Sequence, residues 1–415
     1  LRHQGQSIFR ILSLDGGGVW GVVLAMALGR LFGKDTPGHE ILRVFDLAAG
    51  TSTGSLVLAG LLENMTPAKI QNLFLDERTR RNFFAPTQNL FYRLLSFLGF
   101  IPRYQEKGKA RAIRELLPGL KTRILAEAAA LVPRPNSKAP LHLLVIAFDY
   151  DRNVAAFFRS KVTRSPGWGS GGESDFSVAE VVDASTTAPV AYFDAPSQLY
   201  LEKRCMRFWD GAMGGYNNPV LAAVTEAIVL GANPQEIVAL SLGTRRVALP
   251  PAPAGETRSP LFRNPTPSGL LQDARKAATV ILDDPPDSAT FLAHVLTGGS
   301  QGLWSETDSR IIRMCPMISP VLTPDGIWKP PGNLDEKEFS ILAQMRMDEL
   351  APAHLQRMVN YASLWMEDLV PNQPVRMDYD KLECEIGYSS FHAAWDAWKK
   401  AISEPPAIFR GPSFS

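Results

Sequence analysis

Ser52, within Gly50-Thr51-Ser52-Thr53-Gly54, is the residue of this chain best suited to chemistry. A serine between glycines at a strand-to-helix turn has the pattern of a nucleophile elbow. Gly50 and Gly54 permit a sharp backbone turn, and Ser52 then projects at a helix N-terminus, where partial positive charge favours an anion. Upstream stands Asp15-Gly16-Gly17-Gly18-Val19-Trp20-Gly21. The Gly16, Gly17 and Gly18 amides have no side chains to screen them, as an oxyanion hole requires. Together the two segments predict acyl transfer by a serine.

Each motif has a plainer reading. A lone Gly-x-Ser-x-Gly is often a flexible turn. Gly16, Gly18 and Gly21 also satisfy Gly-x-Gly-x-x-Gly, which could cradle a phosphate. Against that, Asp15 would repel a pyrophosphate at the mouth of the loop. The second strand also ends in the Ser52 turn and not in a ribose-binding acid.

A serine nucleophile needs a base, most often histidine. The six histidines, His3, His39, His142, His294, His354 and His392, sit in no such context and read as solvated or structural. Asp210, in Trp209-Asp210-Gly211-Ala212, is a second carrier of base chemistry. It follows the segment Arg204 to Phe208, and the small residue after it leaves room to approach Ser52. Asp-Gly is also a common turn pair.

Taken in order, these segments resemble the patatin-like phospholipases. The likeness includes Asp15-Gly16-Gly17-Gly18, the Ser52 elbow, Asp183-Ala184-Ser185-Thr186-Thr187-Ala188-Pro189 with Tyr192-Phe193, and Asp210-Gly211. It extends through Asn217-Asn218-Pro219 to Ile237–Thr244, which is similar to that family's last core strand and its Gly-Thr turn. Further on it is weak, strongest at Met347-Asp348-Glu349. The resemblance implies a lipid acyl hydrolase with a Ser52–Asp210 dyad and an oxyanion hole at Gly16, Gly17 and Gly18. It implies no cofactor and no metal. The substrate would be a membrane glycerolipid or galactolipid, reached by peripheral contact, and oligomeric state is left open. The same dyad could serve an acyltransferase, and the fold could serve a silent binding or regulatory protein. The chain departs from the family at Trp20, where a lysine or arginine is usual, which leaves a preference for anionic headgroups in doubt.

Composition agrees with a globular protein: 415 residues, 45% apolar and 20% charged. A net charge of +1 gives no global field toward nucleic acid. Arg78-Thr79-Arg80-Arg81 reads as a solvated helix end. Cys205, Cys315 and Cys384 lack metal-site spacing and suggest a reducing compartment. No run reaches the ~18 to 20 apolar residues of a membrane span. The default location is cytoplasmic, with peripheral contact at membranes. The chain opens on Leu1, so a removed leader stays open.

The elements that must position these residues alternate. Phe9 to Leu14 reads as a strand, Gly21 to Phe32 as a helix, Val44 to Ala49 as a strand, then a helix behind Ser52. Thr66 to Ala129 is mostly helical, Leu141 to Asp149 is a strand, and Val154 to Ser160 pairs beside it. Such alternation predicts an α/β fold, a three-layer α/β/α arrangement with a mainly parallel sheet. Ligands in such sheets sit at the carboxyl ends of strands. Residues 1–247 read as the core, 248–268 as a proline-rich linker and 269–415 as a mostly helical extension packed on the core. The extension shows helical patterns at Leu270 to Leu282 and Glu338 to Leu369, with a strand-like Arg310 to Cys315. Ser165 to Ser174 reads as a loop. Leu90 to Pro102 is crowded with apolar residues and reads as a core helix, or functionally as a lid or membrane-docking helix.

Overall fold

The computed structural model describes residues 8–86, 103–134, 139–160, 175–189, 192–201, 204–253, 259–263, 268–269, 286–299, 309–378 and 381–403. The segments Leu90 to Pro102, Ser165 to Ser174 and Leu270 to Leu282 lie outside these residues.

Two-residue periodicity sets the central sheet. In β1 (Phe9–Leu14) Leu12 and Leu14 join one apolar cluster while Ile11 joins another. The same split divides β2 (Leu47–Thr51), β3 (His142–Asp149) and β7 (Ile237–Leu242): Ala48, Val145 and Leu240 on one face, Ala49, Ile146 and Ala239 on the other. Strands buried on both faces need helices on both. Gly21–Phe32 and Thr53–Leu62 cover the first face, Val220–Val229 and Pro286–Leu296 the second. The result is a three-layer α/β/α fold with a mainly parallel sheet.

β3, β2, β1 and β7 run parallel in that order, followed by β8 (Ile311–Met314). β7 is therefore not the last core strand, because residues from the C-terminal third extend the sheet. β4 (Val154–Arg159) lies antiparallel along the outer edge of β3, and β5 (Ser197–Leu201) pairs antiparallel with β6 (Arg204–Asp210). Among the described residues no helix is long and apolar enough to cross a membrane.

Several boundaries differ from the sequence reading for local reasons. β2 begins at Leu47, not Val44, because Val44 and Phe45 donate back to the Ile41 and Leu42 carbonyls in a turn. Asp46 then accepts from the Arg10 amide at 2.8 Å, and the ladder starts one residue later. The pattern over Glu338 to Leu369 is two helices, Glu336–Gln344 and Pro352–Met366. Pro352 suits only a first helical turn, so the chain between them is free to reach the sheet end. Arg80 is buried rather than solvated, donating to the carbonyls of Phe74 at 2.8 Å and Leu350 at 3.2 Å. The other flank of that cluster behaves as read, with Arg81 paired to Glu77 on the surface.

Candidate active site

β3 acts as the ruler of the site. Ile146 pairs with Thr51 on one edge and with Phe157 of β4 on the other. One residue on, Ala147 pairs with Asp210 and with Ala156 of β4. Since β4 runs unbroken along the outer edge, β6 takes over the inner edge where β2 stops. Ser52 follows Thr51, so this register brings it against Asp210. Both side chains line the same cleft, and Ser52 favours the ionised form of the Asp210 carboxyl.

Ser52 has φ 52° and ψ −126°, a left-handed turn that costs about 1–3 kcal/mol in a residue with a side chain. Its surroundings hold it there. The Ser52 amide donates to Ser185 Oγ at 2.8 Å, and Ser185 Oγ donates to the Ile146 carbonyl at 2.6 Å. Ser55 Oγ donates to the Ser52 carbonyl at 2.6 Å. A Cβ on Gly54 would stand 2.1 Å from the Leu14 carbonyl oxygen, and one on Gly50 would stand 2.8 Å from the Gly54 backbone. Both elbow glycines are thus demanded by close approach.

Asp210 is only 3% exposed. Its amide donates to the Thr187 carbonyl at 2.8 Å, and its Oδ1 accepts from the Ala212 amide at 2.9 Å. A Cβ on Gly211 would meet the Ile146 carbonyl oxygen at 2.5 Å, so glycine lets the end of β6 close up to β3. Burial pushes the Asp210 carboxyl up to about 6, against the pull of the neighbouring Ser52, the Ala212 amide and the Lys109 charge. A raised carboxyl is a stronger base than an ordinary aspartate.

The glycine loop is tied from several directions. Asp15 is buried in a bidentate pair with Arg313 of β8, at 3.0 and 2.6 Å, and Arg313 also donates to Ser241 Oγ at 2.9 Å. The Gly16 carbonyl accepts from Thr244 Oγ1 at 2.7 Å, and the Val19 amide donates to the Met347 carbonyl at 2.9 Å. The three amides expected to act together are not equivalent. That of Gly16 donates to the Asn217 carbonyl at 3.0 Å and is already engaged. Those of Gly17 and Gly18 carry no hydrogen bond among the described residues.

Ser52, Asp210 and Gly18 line a cleft open to solvent, with walls of Leu56, Leu73, Phe74, Phe83, Phe84 and Phe193. None of the described histidines lines it. His294 bonds Ser309, His354 bonds Glu349 and His392 pairs with Asp368. Among the described residues no cluster is placed to hold a metal. Sequence reasoning missed Arg313, Lys109 and the role of Ser185. A charged residue inside the apolar run Ile311–Met314 was the available signal for Arg313; Lys109 had none.

Residues 12–224 match the family model described as patatin-like phospholipase. A 65-residue stretch is 38% identical to an intracellular phospholipase A2 of Caenorhabditis elegans, covering 16% of this chain and 6% of that protein. Patatin-07 of Solanum tuberosum is 24% identical over 260 residues, 58% of this chain and 61% of the patatin. The chain thus spans less than two thirds of the length of either relative. Among solved structures, VipD from Legionella pneumophila aligns over 95% of this chain and 74% of its own, with 13% identity and a TM-score of 0.36. With a family model spanning just over half of its length, this chain belongs to the patatin-like phospholipase family.

Proposed function

We propose that the protein is a serine lipid acyl hydrolase of the phospholipase A type, with Ser52 as nucleophile and Asp210 as its base. The observation that carries this reading is the strand register that sets Ser52 and a buried aspartate side by side on the wall of one apolar cleft. Ser52 Oγ attacks the ester carbonyl while its proton passes to Asp210. The oxyanion accepts from the Gly17 and Gly18 amides, whose donors are otherwise unbonded among the described residues. As the carbonyl re-forms, the C–O bond to the alcohol breaks and Asp210 returns the proton to that alcohol. Water then attacks the acyl-enzyme with Asp210 again as base, releasing fatty acid and free Ser52.

Apolar walls beside Ser52 suit an acyl chain, and the relatives' names favour a lipid ester. The substrate class is membrane glycerolipid or galactolipid, with the protein acting by peripheral contact from the cytoplasmic side. The test is fatty-acid release from mixed phospholipid and galactolipid vesicles by wild type, Ser52→Ala and Asp210→Asn. Release by the wild type alone supports the dyad, and equal release by all three sinks it. Acyl esters appearing when a second alcohol is added would identify a transferase.

A further inference from the structure

Lys109, on the helix Glu106–Leu116, is fully buried. An ammonium is expensive to bury unless it is paired and hydrogen-bonded. Its Nζ lies 2.7 Å from Asp183 Oδ1 and donates to the Asp183 carbonyl at 2.6 Å, Thr187 Oγ1 at 2.6 Å and Thr186 Oγ1 at 3.1 Å. The Phe193 ring, 5.2 Å away, closes the remaining side. All its polar partners belong to one turn, the end of the helix Val178–Ser185 and the two residues after it.

That same turn holds the backbones of both reacting residues. Ser185 Oγ accepts from the Ser52 amide, and the Thr187 carbonyl accepts from the Asp210 amide. We propose that Lys109 is a positioning residue for the Ser52–Asp210 pair, acting through the Asp183–Thr187 turn that it clamps. The proposal rests on the dyad reading above. Loosening the turn frees the elbow and the end of β6 independently, so the hydroxyl and the carboxylate lose their alignment. Misplacement of this kind acts on the chemical step more than on lipid binding.

Lys109 also brings the charge that acts on Asp210 and favours its ionised form. The charged groups around it come from each neighbouring element. Glu106 shares its helix, Asp183 lies on the helix Val178–Ser185, and Asp194 accepts from the Glu106 amide at 2.9 Å. Burial, then the Asp183 charge, pushes Glu106 up to about 7. From the helix Glu77–Phe83, Arg80 turns away to the Phe74 and Leu350 carbonyls. Removing Lys109 alone therefore strands Asp183 as a buried charge, and a useful test separates that loss from the positioning role.

The test is the rate of Ser52 labelling by a soluble fluorophosphonate across pH, in the full chain. Wild type is compared with Lys109→Met and with Lys109→Met/Asp183→Asn, and each is melted thermally. The double variant removes both charges and should melt closer to wild type than the single one. In both, plateau labelling should fall about tenfold or more, and the acid limb should move to higher pH by about half a pH unit or more. A folded variant with wild-type plateau and limb would overturn the proposal. Absence of Ser52 labelling in the wild type at every pH would sink the dyad, and the Lys109 role with it.

Discussion

The Ser52 elbow and the Asp15–Gly18 loop are both short glycine-rich turns, but they are held by different parts of the chain. The elbow is shaped largely by its neighbours, Gly50 against the Gly54 backbone and Ser55 on the Ser52 carbonyl, while Leu14 and Ser185 act on it from outside. The glycine loop has almost no local support. Asn217, Thr244, Arg313 and Met347 hold it, all from the second half of the chain. The backbone of the Ser52 elbow is thus specified largely by local sequence, whereas the glycine loop depends on the completed sheet end.

The sharpest break of this comparison is at the elbow itself. Ser52→Ala should lower ester hydrolysis about 10⁴-fold or more while leaving the melting temperature near that of wild type, since only the hydroxyl is removed. Asp210→Asn should lower kcat by about 100- to 10,000-fold, the range for a general base. Comparable kcat values for Asp210→Asn and wild type would move the base elsewhere.

Breaking the loop should require no change within it. Arg313→Gln leaves Asp15 buried without its partner, which typically costs about 3–5 kcal/mol of stability, read by thermal melting. Where the variant stays folded, kcat for a soluble ester should fall about 100-fold through misplaced Gly17 and Gly18 amides. An unaltered kcat would show that the loop keeps its shape without the distant anchor.

Smaller effects follow from the buried carboxyl. Asp210 must be charged to accept a proton, so kcat/KM should decline about tenfold per pH unit below the value near 6. Stability runs the other way. The folded state binds the Asp210 proton more tightly than the unfolded state, so this stabilising contribution is full below 3.8 and lost as pH rises through about 6. Asp210→Asn should therefore melt above wild type at pH 8, by up to about 3 kcal/mol, with the gain shrinking toward pH 4. A constant gain at all pH values would point to packing instead of charge.

Much of this fold was legible because it follows local rules. β1 and the helix Gly21–Phe32 begin and end where apolar alternation and helical spacing set them. β2 was misread by three residues because Val44 and Phe45 look like strand residues but close a turn. Arg80 was misread because nothing in a basic run tells which side chain turns inward to the Phe74 carbonyl.

By itself the sequence determined the family, the alternation of layers, and the two residues, Ser52 and Asp210, that the fold brings into contact. Glycine spacing and strand periodicity are properties of neighbouring residues, so they survive without coordinates. Only the tertiary structure decided that Asn217 engages the Gly16 amide, that Arg313 pairs with Asp15, and that Lys109 clamps the turn bonded to the Ser52 and Asp210 amides. Those facts depend on which distant segments meet in three dimensions. A buried charged side chain must find a partner because burial leaves it no water to bind.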